Sequence, residues 1–240
     1  MAWHEELLVG FDLETTGTDP RTARIVTAAV TEVKSGEPVR HLTWLADPGV
    51  PIPPETTAIH GVSTARAAAD GRPAPEVVAE VADALRGYWA RRVPVVVYNA
   101  PFDLTLLDEE LRRYALPPLV AAGAPAGPVV DPLVVDRALD RYRRGKRTLE
   151  AACQVYGVVL EGAHDAGADA LAAVRVARAL ALRFPEVGGA DLVELQALQT
   201  GWYAAWAEDF AAWLRRKGSA DPDVDPSWPL RSAATEAVRP

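Results

Sequence analysis

The chain has 240 residues, 49% hydrophobic and 24% charged, which is enough for one large globular core or a domain with an appendage and excludes a mini-protein that needs staples. Its 25 basic against 33 acidic residues leave a formal net charge of −8, excluding a broad cationic field that would hold long nucleic acid nonspecifically; any polyanion must be met locally, by metal ions or a few placed cations. The single cysteine, Cys153, excludes an internal disulfide, and no Cys/His spacing suits zinc, as expected of a protein kept in a reducing cytoplasm.

The acidic start, Met1-Ala2-Trp3-His4-Glu5-Glu6, precedes an apolar run too short for a signal peptide, and no apolar run reaches the roughly 18 residues of a membrane span. Neither export nor membrane insertion is expected. Residues 5–13 read as a strand, and 24–34 and 38–45 as β-branched apolar strands joined at Ser35-Gly36-Glu37, so the chain opens as an antiparallel meander. A Pro-rich loop follows from Pro48 to Pro54. Residues 75–92 then carry Val77, Val78, Val81, Leu85, Tyr88 and Trp89 at helical spacing.

Residues 93–98 are a continuous apolar run of the buried-strand type, and 102–114 a helix. After a loop over 117–128, Val129-Val130-Asp131 forms a last short strand leading into helices near 132–142, 148–156 and 166–184. Strands first, then strands alternating with helices, predict an α/β domain with a mixed sheet. From Asp191 to Lys217 one long helix presents Leu195, Leu198, Trp202, Trp206, Phe210 and Trp213 on one face, which either packs on the main domain or docks a partner. Residues 219–240, with four prolines and little apolar content, read as an extended or disordered tail.

Three short segments carry chemistry. Asp12-Leu13-Glu14 ends the first strand, where residues i and i+2 project from one face, so two carboxylates converge as they would on a hard cation. Alone, such a pair at a strand end is more often a solvated edge. Thr15-Thr16-Gly17 follows directly, with hydroxyls, backbone N–H groups and a flexible glycine suited to gripping a sugar-phosphate end. Asn99-Ala100-Pro101-Phe102-Asp103 opens the helix after the most buried strand, which places Asp103 in a first turn where the helix dipole favours a carboxylate. His164 lies in the loop entering the 166–184 helix, with Asp165 as its N-cap and Asp169 just inside it.

Taken in this order, Phe11-Asp12-Leu13-Glu14-Thr15-Thr16-Gly17, Asn99-x-x-Phe102-Asp103 and His164-x4-Asp169 resemble the three exonuclease motifs of the DnaQ-like DEDD superfamily, which includes the epsilon proofreading subunit of bacterial replicative polymerase. The resemblance covers about residues 5–182 and leaves the Trp-rich helix and tail outside. A histidine five residues before the last aspartate puts the chain with the histidine branch (DEDDh). Ala58-Ile59-His60-Gly61-Val62 is similar to the family's loop beside the substrate strand; Tyr98, where many relatives have histidine, is a departure expected to affect substrate fit and not chemistry.

For the fold, the resemblance implies a ribonuclease-H-like five-stranded mixed sheet flanked by helices, here with a C-terminal helical extension: an exonuclease domain over 1–189, the Trp-rich helix over 190–218, and the tail. For chemistry it implies two Mg²⁺ or Mn²⁺ ions serving the attacking and leaving oxygens of a phosphodiester. Asp12 would bridge them, Glu14 and Asp169 hold one, Asp103 hold the other, and His164 deprotonate water. Leu13, Thr15, Thr16, His60, Asn99 and Phe102 would bind the 3′ end of single-stranded or frayed DNA, released as nucleoside 5′-monophosphates in proofreading or repair. RNA-end trimming is the alternative substrate reading. A DNA polymerase subunit is the implied protein partner, and a polymerase-associated subunit with secondary hydrolysis is the alternative from another class. The basic run Arg137, Arg141, Arg143, Arg144, Lys146 and Arg147 is either a solvated helix end or a contact with the nucleic-acid backbone.

Overall fold

A computed structural model describes residues 2–121, 124–220 and 222–232. After a 3₁₀ turn at Trp3–Glu5, the described residues form strands β1 (Leu7–Thr15), β2 (Ile25–Lys34) and β3 (Glu37–Asp47), then helices α1 (Pro54–His60) and α2 (Thr64–Asp70). Strand β4 (Arg72–Pro73), α3 (Ala74–Ala90), β5 (Val95–Val96), α4 (Ala100–Arg113), β6 (Val129–Val130) and α5 (Pro132–Leu139) follow, and then α6 (Leu149–Tyr156), α7 (Ala166–Arg183), α8 (Pro185–Gly188) and α9 (Leu192–Arg216).

The sheet order is β4-β3-β2-β1-β5-β6, with the first three strands antiparallel and β5 and β6 parallel to β1. The mixed α/β architecture is the expected one, with a correction to the strand count. Six strands pair instead of five, because Arg72 and Pro73 lie parallel to Ala46 and Asp47 at the sheet edge. A two-residue strand containing proline carries no periodicity to read, and an edge is where proline's missing N–H is tolerated. Ala58 to His60 is likewise the last turn of α1 instead of a loop: Gly61 adopts φ 74° and donates its N–H to the Thr57 carbonyl, a left-handed helix stop. Residues 93–98 contribute only Val95 and Val96 to the ladder, although Pro94 and Val97 still bond outward to Val9 and Val130.

Two apolar layers cover the sheet. Phe11, Leu85, Leu104 and Leu107 belong to one, with α3 and α4; Leu8, Val174 and Leu180 belong to the other, with α7. The approach of α7 is set by Gly10, where a Cβ would run into the Ala170 carbonyl. A bare backbone there lets α7 lie on β1, and Asp169 precedes the point of contact.

The C-terminal helix packs on α5 and β6. Its buried positions are Leu195, Gln199, Tyr203, Ala207 and Ala211, a strict step of four, while the predicted tryptophan face lies along the flank. Trp202 and Trp206 are half-buried, and Phe210 and Trp213 remain 36% and 45% exposed. Beyond α9 the described residues up to Ser232 have no regular structure. Trp228 is buried there, and the Arg231 N–H is donated to the Thr105 hydroxyl. Of the tail expected over 219–240, residues 221 and 233–240 lie outside the described residues.

Candidate active site

Strand β1 delivers Asp12 and Glu14 to one face at its C-terminal end, with Leu13 buried on the other. Helix α4 delivers Asp103, 4% exposed, whose Oδ1 accepts the Leu13 N–H at 3.1 Å. Helix α7 delivers Asp169 and, through its entering loop, His164. One ligand atom from each of Glu14, His164 and Asp169 lies within 4.8 Å of the others. The His164 backbone, at φ 67°, donates its N–H to Asp169 Oδ2 at 3.2 Å, and Asp165 caps α7 by accepting from Ala168 at 3.0 Å.

The cluster is electrostatically costly by itself. Burial, then Asp103, Asp169 and Glu14, hold the Asp12 carboxyl well above the usual carboxylate range. Burial and then Asp169 and Asp165 push Glu14 up to about 8. Burial also raises Asp103, against the Leu13 N–H, and raises Asp169, against the N–H and ring of His164. Asp169 Oδ1 is buried with no hydrogen-bond partner among the described residues. Converging carboxylates and an orphaned carboxylate oxygen are the donor set of hard divalent cations, so these residues fit such ions.

The turn after β1 is held by its own hydroxyls. Thr15 donates to the Gly17 carbonyl at 2.7 Å, and Thr16 accepts the Arg24 N–H at 2.9 Å. Arg24 in turn pairs with the buried Glu110 of α4 at 2.5 Å, which fixes the turn against that helix. His60 stands half-buried, its Nδ1 accepting the Val62 N–H; burial lowers its ring below the usual value, and the His164 charge acts in the same sense. Phe102 packs half-buried on the core from the first turn of α4. Asn99, at φ 71°, is exposed at the N-cap, with no side-chain hydrogen bond to the helix.

What holds Asn99 is Asp131, a residue the motif reading passed over. Its buried carboxylate accepts the N–H groups of Asn99 and Ala100 at 3.0 and 2.9 Å and that of Leu133 at 3.0 Å, capping α5 while fixing the start of α4. Gln199 of α9 accepts the Asp131 N–H at 2.7 Å and donates to the Val129 carbonyl at 3.0 Å. The Asp131-Pro132 pair was a readable helix-start signal. Its second task at α4 was not, because it joins segments 31 residues apart. The departure at Tyr98 also has a structural use, since its hydroxyl donates to the Arg147 carbonyl at 2.9 Å. A separate cavity of about 1520 Å³, lined by residues such as Trp89, Pro94 and Pro128, opens at the other end of the parallel strands and holds none of the site carboxylates.

A mixed sheet of this order, with carboxylates from β1, α4 and α7 gathered at the end of its central strand, defines a ribonuclease-H-like nuclease. The chain belongs to the DnaQ-like exonucleases: a family model described as exonuclease (RNase_T) matches residues 9–177. It is 32% identical over 197 residues to a DNA polymerase III subunit epsilon-like protein of Rhodobacter capsulatus, covering 78% of this chain and 26% of that one. A PolC-type DNA polymerase III of Streptococcus thermophilus is 28% identical over 173 residues, 72% of this chain and 11% of the relative. Among solved structures, exonuclease I of Methylocaldum szegediense superposes with a TM-score of 0.60 at 26% identity, covering 77% of this chain and 42% of that one. The E. coli exonuclease I complex with a dA16 oligonucleotide superposes with 0.64 at 21% identity, a likeness of fold. The chain thus spans less than half the length of these relatives. Its family is one of divalent-metal-dependent exonucleases, and among the described residues no helix is long and apolar enough to cross a membrane.

Proposed function

We propose that the protein hydrolyses nucleic acid from the 3′ end, releasing nucleoside 5′-monophosphates, with DNA as the favoured substrate. The observation that carries this reading is the convergence of Asp12, Glu14, Asp103 and Asp169 with His164 at the end of β1, including the unpartnered Asp169 oxygen. Asp12, the carboxylate acted on by all the others, would bridge two Mg²⁺ or Mn²⁺ ions; Glu14 and Asp169 would hold one and Asp103 the other. When bound, such ions activate water and stabilise the leaving 3′ oxygen. His164, exposed beside Glu14 and Asp169, accepts the proton from the attacking water. The backbone and hydroxyl groups of Thr15 and Thr16 would hold the terminal sugar, and Leu13, His60, Asn99 and Phe102 would bind the strand beside it. That assignment gives the reaction its polarity.

DNA is favoured because the relatives are named as DNA polymerase III and because an exonuclease I neighbour carries a DNA oligonucleotide. The test is an end-labelled assay on single-stranded DNA, mismatched duplex and RNA with and without Mg²⁺. Release of 5′-monophosphates from the 3′ end only with metal is expected; metal-independent or internal cleavage would refute the reading. Phe210 and Trp213, left exposed on α9, support a second role, docking to a polymerase; copurification with a polymerase that is lost in Trp213→Ser is the expected sign.

A further inference from the structure

Arg137 differs from Arg141, Arg143 and Arg147 of its basic run. Arg143 and Arg147 both bond the buried Asp136, at 2.6 Å each, and Arg141 pairs with Asp209 at 3.2 Å. Arg137 makes no hydrogen bond or ion pair among the described residues; its guanidinium lies 3.9 Å from the centre of the Trp206 ring and faces a pocket of about 320 Å³ between α5 and α9. Arg141, Arg147, Trp202 and Asp209 line the same pocket. The one carboxylate among these, Asp209, is already neutralised by Arg141, so the pocket keeps an excess of positive charge on a chain whose net charge is −8. A half-buried guanidinium over an indole face, lining a pocket and without a side-chain partner among the described residues, still has N–H donors to satisfy, and a phosphate oxygen is the partner they fit. Trp206, Phe210 and Trp213 continue from the pocket as a stacked ladder, with centroids 5.4 and 5.7 Å apart, ending under Lys217. Trp202 and Trp206, which wall the cationic pocket, suit the bases of a single strand whose backbone meets the arginines.

The pocket also shares its foundations with the active site. Asp131 caps α5, which carries Arg137, and holds the Asn99-Ala100 turn that starts α4. Tyr98 bonds the Arg147 carbonyl from the other side. We infer that the α5–α9 pocket is a second nucleic-acid site, in which Arg137 binds a backbone phosphate of the single strand upstream of the 3′ end. This deepens the exonuclease reading and rests on it for the direction of the strand.

The test reads binding without turnover, by anisotropy of a 5′-fluorescein-labelled twelve-nucleotide thymidine strand in EDTA. Arg137→Gln is expected to weaken binding about ten-fold and to reduce the slope of log affinity against log salt by about 0.7, the share of one phosphate on a single strand. Arg137→Lys should restore the slope and only part of the affinity. Unchanged affinity and slope in a folded Arg137→Gln protein would overturn the site, as would full displacement of the strand by inorganic phosphate at matched concentration, which would make the pocket a free-anion site. Should the variants fail to fold, ultraviolet crosslinking of the unaltered protein decides. Strands carrying 5-iododeoxyuridine upstream of the 3′ end should label peptides spanning Trp202 to Trp213, and labelling only elsewhere refutes the proposal. Hydrolysis of the same strand with Mg²⁺ is scored separately. A protein that binds through Arg137 and does not cleave would refute the exonuclease reading and leave the pocket standing.

Discussion

Asp103 Oδ1 accepts the Leu13 N–H at 3.1 Å across 90 residues of sequence, so the first turn of α4 is bonded to the residue between Asp12 and Glu14. One oxygen of this candidate metal ligand thus does structural work, and the proposed cation-binding role would fall to the other. Two functions on one side chain can be separated. Asp103→Asn keeps an acceptor for Leu13 and should retain the fold while lowering turnover at least about 10²-fold; Asp103→Ala should lose turnover and also destabilise, because a buried N–H is left unpaired at about 1–3 kcal/mol. Thermal melts beside a steady-state assay decide, and an Asn variant with wild-type turnover would remove Asp103 from the site.

The raised carboxyls make stability depend on pH and metal together. Glu14 titrates at about 8 in the folded chain against an ordinary 4.5, and Asp12, Asp103 and Asp169 shift the same way. Between those values the metal-free folded protein holds more protons than the unfolded one, so its stability is full in acid and falls as pH rises through the window. In EDTA the melting temperature should therefore drop on going from about pH 5 to about pH 8, and Mg²⁺ or Mn²⁺ should restore it at the upper end. Asp12→Ala should flatten the slope and raise the metal-free melting temperature. A melting temperature in EDTA that climbs over this range would contradict the cluster.

His164 is separable from metal binding by its backbone as well as its ring. Its φ of 67° strains most residues, and asparagine tolerates it best after glycine, so His164→Asn is the informative change. Turnover should fall about 10²–10⁴-fold, while strand affinity in EDTA and the metal-induced rise in melting temperature stay near wild type. Near-normal turnover in this variant would reduce His164 to a loop residue.

The C-terminal helix should matter to the domain beneath it. Gln199 is fully buried with its amide bonded to the Val129 carbonyl of β6 and to the Asp131 N–H that follows the strand, so Gln199→Leu should cost about 2–4 kcal/mol by leaving both groups unpaired. Removing residues 190–240 should lower solubility and melting temperature further, since Tyr203 and Trp228 leave the core. A soluble, fully active protein ending at residue 189 would show that the extension is only a docking element.

Gly10→Ala isolates the approach of α7. The added methyl meets the Ala170 carbonyl and must push α7 off β1, moving Asp169 away from Asp12 and Glu14. Turnover and the metal-induced rise in melting temperature should fall together; retention of both would show that α7 can adjust without disturbing the site.

The placement of the candidate carboxylates at strand ends and helix starts was legible in the sequence because it is local. Asp12 and Glu14 share a face through the two-residue period of a strand, Asp103 sits in a first turn marked by Pro101, and Asp169 follows its N-cap Asp165 by four residues. Tertiary structure decided what depends on distances between elements. It turned α9 so that Gln199 and Tyr203 face inward and the tryptophans lie at the flank, because the Val129 N–H and carbonyl and the Asp131 N–H at the sheet edge are satisfied by Gln196 and Gln199, which an apolar stripe could not do. It gave Asp131 a second helix to hold, and buried Trp228 from a stretch with no periodicity. It also left Arg137 unpaired while supplying Asp136 to both Arg143 and Arg147. A basic run in sequence shows only that cations are near one another; which of them already has a carboxylate follows from the approach of α5, α6 and α9, and that approach is set by packing across the whole sheet.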